Sequence, residues 1–231
     1  GVGPTGGLAG DADRFKQTYL YPDGQAQQGI IVAIGFYGSR LKVGYGSRGG
    51  WTPFGSSRSI TRAKGNILYE LDGQPALNLY KELLGEKASE LPGSSFYFPL
   101  SYRAEDSSPG IIRTILAVDE KELSLTLAGD VVEGGTLQLS KFDYDRLING
   151  SKVAAEDCFQ ETSPEFALII SCVGRKIVLS QRVEEELDSA QAVFGESTAM
   201  TGFYSYGEIS PNGPTCQLHN QTMSITTFHE K

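Results

Sequence analysis

With 231 residues, 21% of them charged and 39% hydrophobic, the chain can bury one large core or two smaller ones and is too apolar to stay disordered. A formal net charge of -8 argues against the basic patch of a nucleic-acid-binding surface, and no run approaches the roughly 20 apolar residues of a membrane span. Three widely spaced cysteines, Cys158, Cys172 and Cys216, read as reduced thiols of a cytoplasmic protein.

The opening stretch, Gly1-Val2-Gly3-Pro4-Thr5-Gly6-Gly7, has neither the basic region nor the apolar core of a signal peptide. Without a starting methionine the chain reads as a domain cut from something longer. Strands are expected at Lys16 to Tyr21 and Gly29 to Phe36, around the turn Pro22-Asp23-Gly24. Two more, Leu41 to Gly46 and Ser57 to Lys64, flank a glycine-rich loop from Ser47 to Gly55, and Asn66 to Leu71 follows. A helix is expected after Pro75, because Leu77, Tyr80 and Leu84 recur at helical spacing and Gly85 suits the stop.

The middle reads as strands at Ser95 to Tyr102, Ile111 to Val118, Leu123 to Ala128 and Thr136 to Leu139. A helix from about Asp143 to Glu156 precedes a buried strand, Phe166 to Ser171. One long helix is expected from Arg175 to Phe194, with Leu179, Val183, Leu187, Ala190 and Phe194 inward, Glu184-Glu185-Glu186 on the solvated face and Gly195 at its end. The chain closes with a hairpin, Met200 to Ile209 against Cys216 to Phe228. About three helices among a dozen strands predict an α+β protein of mostly antiparallel sheets, with an αββα layering as one arrangement.

Two glycine patterns, Gly1-Val2-Gly3-Pro4-Thr5-Gly6 and Gly44-Tyr45-Gly46-Ser47-Arg48-Gly49, match a dinucleotide fingerprint in letters only. The first lacks a preceding strand, and the second runs into Gly50-Trp51-Thr52-Pro53 instead of opening a helix. Around that second pattern, Trp51 can serve as a flat wall and Arg48 as a carboxylate or phosphate clamp, or the loop can be a plain structural turn.

Cys172 and Arg175 sit where a strand meets a helix. There a thiol is activated or simply buried, the latter being favoured, and an arginine is placed to bind a carboxylate. Asp11 and Asp13 fit a turn better than a ligand. The histidines, His219 and His229, have no HExxH or CxxC companions, so neither a catalytic zinc nor a triad assembles around them. His229 reads as a surface residue, and a single axial haem ligand, His219, remains an open alternative to a histidine bonded within the sheet. In Gly202-Phe203-Tyr204-Ser205-Tyr206-Gly207-Glu208-Ile209, read as one strand, Tyr204, Tyr206 and Glu208 share a face. The turn Ser210 to Pro214 returns His219 and Asn220 beside it, concentrating polar groups suited to a small polar ligand.

Gly50-Trp51-Thr52-Pro53-Phe54-Gly55, Leu68-Tyr69-Glu70-Leu71-Asp72-Gly73-Gln74-Pro75-Ala76, Phe98-Pro99-Leu100, Ser171-Cys172-Val173-Gly174-Arg175, the 202–209 run and Leu218-His219-Asn220-Gln221-Thr222 occur in this order. Together they resemble the FIST family, named for F-box and intracellular signal transduction proteins. By this likeness residues 1–72 are similar to the later part of a FIST N-terminal domain, whose usual beginning is missing. Residues 73–231 are similar to a FIST C-terminal domain.

The resemblance implies sensing rather than catalysis. Such domains occur in bacterial signalling systems and F-box proteins and are thought to bind small ligands, with amino acids proposed. Some bacterial members are haem proteins that respond to nitric oxide. The expected function is a cytoplasmic small-ligand sensory domain with a signalling output partner, no enzymatic activity and no required cofactor. An amino acid or other small carboxylate would be held by Arg175 or Arg48, its amine by Glu208, with Tyr204, Tyr206 and Trp51 as walls and His219 and Asn220 beside them. The alternatives are a haem-based nitric oxide sensor with His219 as axial ligand, and a protein-interaction scaffold without a small ligand.

Overall fold

The computed structural model describes residues 3–12, 14–105, 110–158, 162–212 and 215–230. Asp13, the first two residues of the Gly1 pattern and Gly213-Pro214 of the final loop lie outside the described residues. In chain order the strands are β1 (Gly6–Gly7), β2 (Leu41–Arg48), β3 (Thr52–Lys64), β4 (Ile67–Leu71), β5 (Gln74–Pro75), β6 (Leu100–Arg103), β7 (Ile111–Arg113), β8 (Ile115–Asp119), β9 (Ser124–Leu127), β10 (Thr136–Lys141), β11 (Phe166–Cys172), β12 (Ala199–Ser205), β13 (Glu208–Asn212), β14 (Thr215–His219) and β15 (Met223–Glu230). The helices are α1 (Ala76–Leu84), α2 (Tyr144–Cys158), α3 (Val173–Leu179) and α4 (Val183–Phe194). The fold is α+β, as predicted from about three helices among a dozen strands that mostly follow one another.

The residues form two compact units. The first comprises Gly1–Gly49, Ile148–Leu218 and Thr222–Lys231, and the second Gly50–Leu147 with His219–Gln221. In the second unit an antiparallel sheet runs β7-β6-β10-β3-β4-β9-β8, with β5 on β4. Its 13-residue strand β3 shifts register against both β10 and β4, and such irregularities bend and twist a strand, so the sheet curls. Ile60, Leu68, Leu125, Leu127 and Leu137 fill its core together with Leu77 and Tyr80 of α1. The Tyr80 hydroxyl, carried inside with its ring, donates to the Phe98 carbonyl at 2.7 Å. Gly85 stops α1 with φ 58°, the left-handed conformation for which glycine carries no Cβ penalty.

In the first unit the sheet order is β12-β11-β15-β2, with β11 and β12 parallel and the other neighbours antiparallel. A smaller sheet, β1-β13-β14, holds the C-terminal hairpin. The apolar run of β11 is buried on both faces, as a central strand demands. Gly44 and Gly46 of β2 explain the second glycine pattern. A Cβ at Gly44 would strike the Cys158 carbonyl and one at Gly46 the Ala154 carbonyl, both on the backbone of α2. These two glycines, on one face of the strand, let the helix backbone close onto the sheet.

Several expectations need correction. The loop expected from Ser47 to Gly55 shrinks to three residues between β2 and β3, and the strand expected from Ile111 to Val118 is divided at Thr114 into β7 and β8. The strands expected at Lys16 to Tyr21 and Gly29 to Phe36 are not formed. A single bridge, Leu20 with Gln27, is all the pairing of that stretch, and Ile31 is 95% exposed. Its strand-like composition lacks a neighbouring ladder among the described residues, and a strand exists only by pairing. The Ser95 to Tyr102 strand begins only at Leu100, because a 3-10 turn occupies Gly93–Phe96 and the Ser95 hydroxyl donates to the Ile115 carbonyl.

The long helix is broken as well. Ser180 adopts φ 50°, a 3-10 turn spans Ser180–Arg182, and α4 restarts at Val183. The break advances the phase, so α4 buries Glu186, Ala190 and Phe194, while Leu187 is 37% exposed. Glu186 is therefore an interior residue and not part of a solvated face.

Candidate functional site

The C-terminal hairpin motif does not form one continuous strand. β12 ends at Ser205 and β13 begins at Glu208 in a different sheet, so Tyr204, Tyr206 and Glu208 do not share a face. The interruption at Tyr206-Gly207 sends each of the three to different partners. Trp51, His219 and Asn220 belong to the second unit; Arg48, Arg175, Tyr204, Tyr206 and Glu208 belong to the first.

In the second unit, His219-Asn220-Gln221 is a buried turn. Asn220 is 1% exposed and Gln221 is 0%, and Gln221 is held at φ 59°, a left-handed conformation that costs a non-glycine residue on the order of 1 kcal/mol. The Trp51 indole N–H donates to the Gln221 carbonyl at 3.0 Å, so the tryptophan singled out from sequence does lie against this turn. Gln221 Nε2 donates to the Phe96 carbonyl at 3.3 Å. Asn220 Nδ2 donates to the carbonyls of His219 at 3.0 Å and Ala128 at 3.4 Å.

These bonds fix which way each amide faces, because reversing either would set carbonyl against carbonyl. The remaining atoms, Asn220 Oδ1 and Gln221 Oε1, are buried acceptors without a hydrogen-bond donor among the described residues. The two amides are anchored on neighbouring backbone: Ala128 N–H bonds the Thr114 carbonyl, and the Ser95 hydroxyl bonds the Ile115 carbonyl. Next to Thr114, the buried Arg113 guanidinium lies over Gly129 and donates to the carbonyls of Asp130 and Ile112. Burial pulls the Arg113 pKa below its ordinary value, as expected for a cation drawn out of water. Gln221 and Arg113 were not picked out from sequence. A glutamine just after a His-Asn pair was the only signal for the first, and nothing in the letters marks Arg113 as interior.

In the first unit, Arg175 and Glu186 form a fully buried ion pair at 2.9 Å. Arg175 also donates to the Gly49 carbonyl at 2.6 Å and Ser151 Oγ at 2.9 Å, so all three guanidinium nitrogens serve protein acceptors. Glu186 further accepts from Ser171 Oγ at 3.0 Å and the Tyr204 hydroxyl at 3.4 Å. Burial first, and then the Glu186 charge, raise the Tyr204 phenol above its ordinary pKa. Arg48 lies on the half-exposed rim, paired with Asp157 at 2.7 Å.

Tyr206 stacks on Phe15 at 4.8 Å between ring centroids and donates to Asp11 Oδ1. Asp11 also accepts the backbone N–H groups of Lys16 and Gln17, both at 2.9 Å, which is the turn role expected of it. The Tyr206 hydrogen bond, followed by those two, holds the Asp11 carboxyl below the usual carboxylate range. Glu208 is fully buried. Its carboxylate accepts from Ser205 Oγ at 2.5 Å, Thr222 Oγ1 at 2.9 Å and Thr222 N–H at 3.2 Å.

None of the three cysteines is joined in a disulfide. Cys158 and Cys172 are buried, and burial pushes the Cys158 thiol up to about 12. The described residues contain no cluster of three or more His, Cys, Asp or Glu able to hold a metal ion, and none of their helices is long and apolar enough to cross a membrane.

Family models describe both parts of this chain: the FIST N domain matches residues 2–74 and the FIST C domain residues 76–211. The chain belongs to the FIST family. FIST domains are recognised as sensory domains of signal transduction. An uncharacterized protein of Mycobacterium tuberculosis is 25% identical to this FIST chain over 238 residues, covering 99% of the chain and 61% of the relative. One from Mycobacterium bovis is 24% identical over 239 residues, with the same coverage. One from Methanocaldococcus jannaschii is 27% identical over 194 residues, covering 78% of the chain and 37% of the relative. The chain thus spans 61% of the length of the mycobacterial relatives and 37% of that of the archaeal one. No solved structure matches it.

Proposed function

We propose that this FIST chain is a cytoplasmic small-ligand-binding sensory domain that hands the state of its ligand to a signalling output protein or domain. The ligand meets the His219-Asn220-Gln221 turn. The observation that carries this reading is the pair of buried acceptors, Asn220 Oδ1 and Gln221 Oε1, on consecutive residues of a strained turn. Buried acceptors are nearly always satisfied, and leaving one unmade costs about 1–3 kcal/mol. A ligand presenting N–H or O–H groups removes that penalty on binding. The Arg113 guanidinium, which lies over Gly129 and so one residue along from the Ala128 carbonyl that Asn220 bonds, adds positive charge, which favours a ligand carrying a carboxylate as well, as an amino acid does. Arg175 and Arg48, in the other unit, have Glu186 and Asp157 as ionic partners and are not needed for this arrangement.

The test is a thermal-shift screen of the protein against amino acids and small carboxylates. At ligand concentrations about 100 times Kd, binding stabilises the folded state by about 2.7 kcal/mol, a readily measured rise in Tm. Replacing Asn220 with leucine removes one acceptor and is expected to weaken binding at least about tenfold, the loss of one buried hydrogen bond. A screen in which no compound stabilises the wild-type protein overturns the reading.

A further inference from the structure

We infer that Glu208 is a positioning residue, a proton-responsive anchor that holds Thr222 and so fixes the end of the turn formed by residues 219–221. The inference rests on the ligand site proposed above for its functional meaning, but not for its geometry.

Thr222 follows Gln221 directly and is gripped on both sides of its backbone within the first unit. Its carbonyl accepts from Cys172 N–H at 3.1 Å. Its N–H and its hydroxyl both donate to Glu208 Oε2, while Glu208 Oε1 takes the Ser205 hydroxyl. Three donors on two oxygens suit the carboxylate form. A protonated Glu208 must itself donate one hydrogen, so one of these hydroxyls has to turn round and accept, and the Thr222 N–H bond weakens.

The groups hydrogen-bonded to Glu208 are all neutral. Among its neighbours, β1 is Gly6-Gly7, β11 ends in Cys172, and β2 carries Lys42, Tyr45 and Arg48, the last paired with Asp157. β14 carries Cys216 and His219, β15 carries His229 and Glu230 toward its end, and β12 with the turn after it brings Tyr204 and Tyr206, the latter bonded to Asp11. α3 brings Arg175, whose charge is met by Glu186.

Burial raises the Glu208 carboxyl from its ordinary 4.5 to about 7, against the hydrogen bonds and the Arg175 charge that lower it. A carboxyl raised on folding contributes stability that is fully present below about 4.5 and is lost as the pH rises through about 7. The same rise in pH strengthens the hold on Thr222. The site thus exchanges stability for a fixed turn as it ionises.

The experiment follows the Thr222 backbone amide by NMR between about pH 5 and 9, in the wild-type protein and in Glu208→Gln. Glutamine keeps an acceptor for the Thr222 N–H and cannot titrate. The expected result is a Thr222 shift with a midpoint near 7 in wild type, with slower amide exchange than the base-catalysed trend at the upper end, and a flat profile in Glu208→Gln. A flat wild-type profile, or the same titration in both proteins, overturns the inference. A second arm measures the thermal shift produced by an equimolar mixture of the common L-amino acids below and above the midpoint. A larger shift above it in wild type, and equal shifts in Glu208→Gln, supports the anchor. Equal shifts in wild type overturn its link to the ligand. A titrating Thr222 with no shift from any compound leaves the anchor supported and counts against the ligand reading alone.

Discussion

Arg175→Met is expected to destabilise the protein by about 3–5 kcal/mol, the usual consequence of stranding one member of a buried ion pair. Glu186 would keep its place at 0% exposure with the hydroxyls of Ser171 and Tyr204 as its remaining side-chain partners among the described residues. Methionine fills the volume of the arginine stem but donates nothing to Glu186, Ser151 or the Gly49 carbonyl. The double variant Arg175→Met/Glu186→Leu removes the stranded charge and should recover most of the loss, since an apolar pair of similar size commonly matches a buried ion pair in stability. Urea denaturation of wild type, both single variants and the double variant measures this directly. A single variant within about 1 kcal/mol of wild type would show that the pair is not held out of water as its burial indicates.

The second large effect belongs to the glycines of β2. Gly46→Ala is expected to cost at least about 3 kcal/mol or to prevent folding, because its Cβ would fall well inside contact distance of the Ala154 carbonyl on α2. Gly44→Ala meets the Cys158 carbonyl and the Thr227 side chain in the same way. Backbone set in a helix and a paired strand cannot retreat as a flexible side chain can. Gly6→Ala is the control: nothing lies within 4 Å of its added Cβ, and its stability should stay within about 0.5 kcal/mol of wild type. Chemical denaturation of the three variants settles the comparison. A Gly46→Ala protein as stable as wild type would contradict the close seating of α2 on β2.

The same glycines illustrate what could be read from letters. Their spacing matched a nucleotide fingerprint, and the missing helix correctly set that aside, but their purpose became visible only with the α2 backbone against them. α1 was legible because its spacing, Pro75 and Gly85 all agree, and the Asp143 helix survives Asn149-Gly150 as α2. The break at Ser180 was not legible: serine carries no mark of a left-handed residue, and the stripe from Leu179 to Phe194 stays plausible for an uninterrupted helix.

Alternation along residues 202–209 failed for a related reason. Period-two reasoning holds only within one strand, and the chain changes sheets between Ser205 and Glu208. Of the residues named from sequence, Trp51, His219 and Asn220 fall in one unit, and Trp51 bonds the turn that carries the other two. Gln221 and Arg113 emerged only from burial and hydrogen-bond accounting, which no spacing reveals.

On this reading the Asn220 and Gln221 carbonyl oxygens accept hydrogen bonds from the ligand. The decisive measurement titrates the 15N-labelled protein with the compound that gives the largest thermal shift, while following the side-chain amide resonances of Asn220 and Gln221. The expected result is saturable shifts of both amide groups with one common Kd, and a Kd at least about tenfold higher in Asn220→Leu. Saturable binding that leaves both side-chain amides unmoved would contradict it.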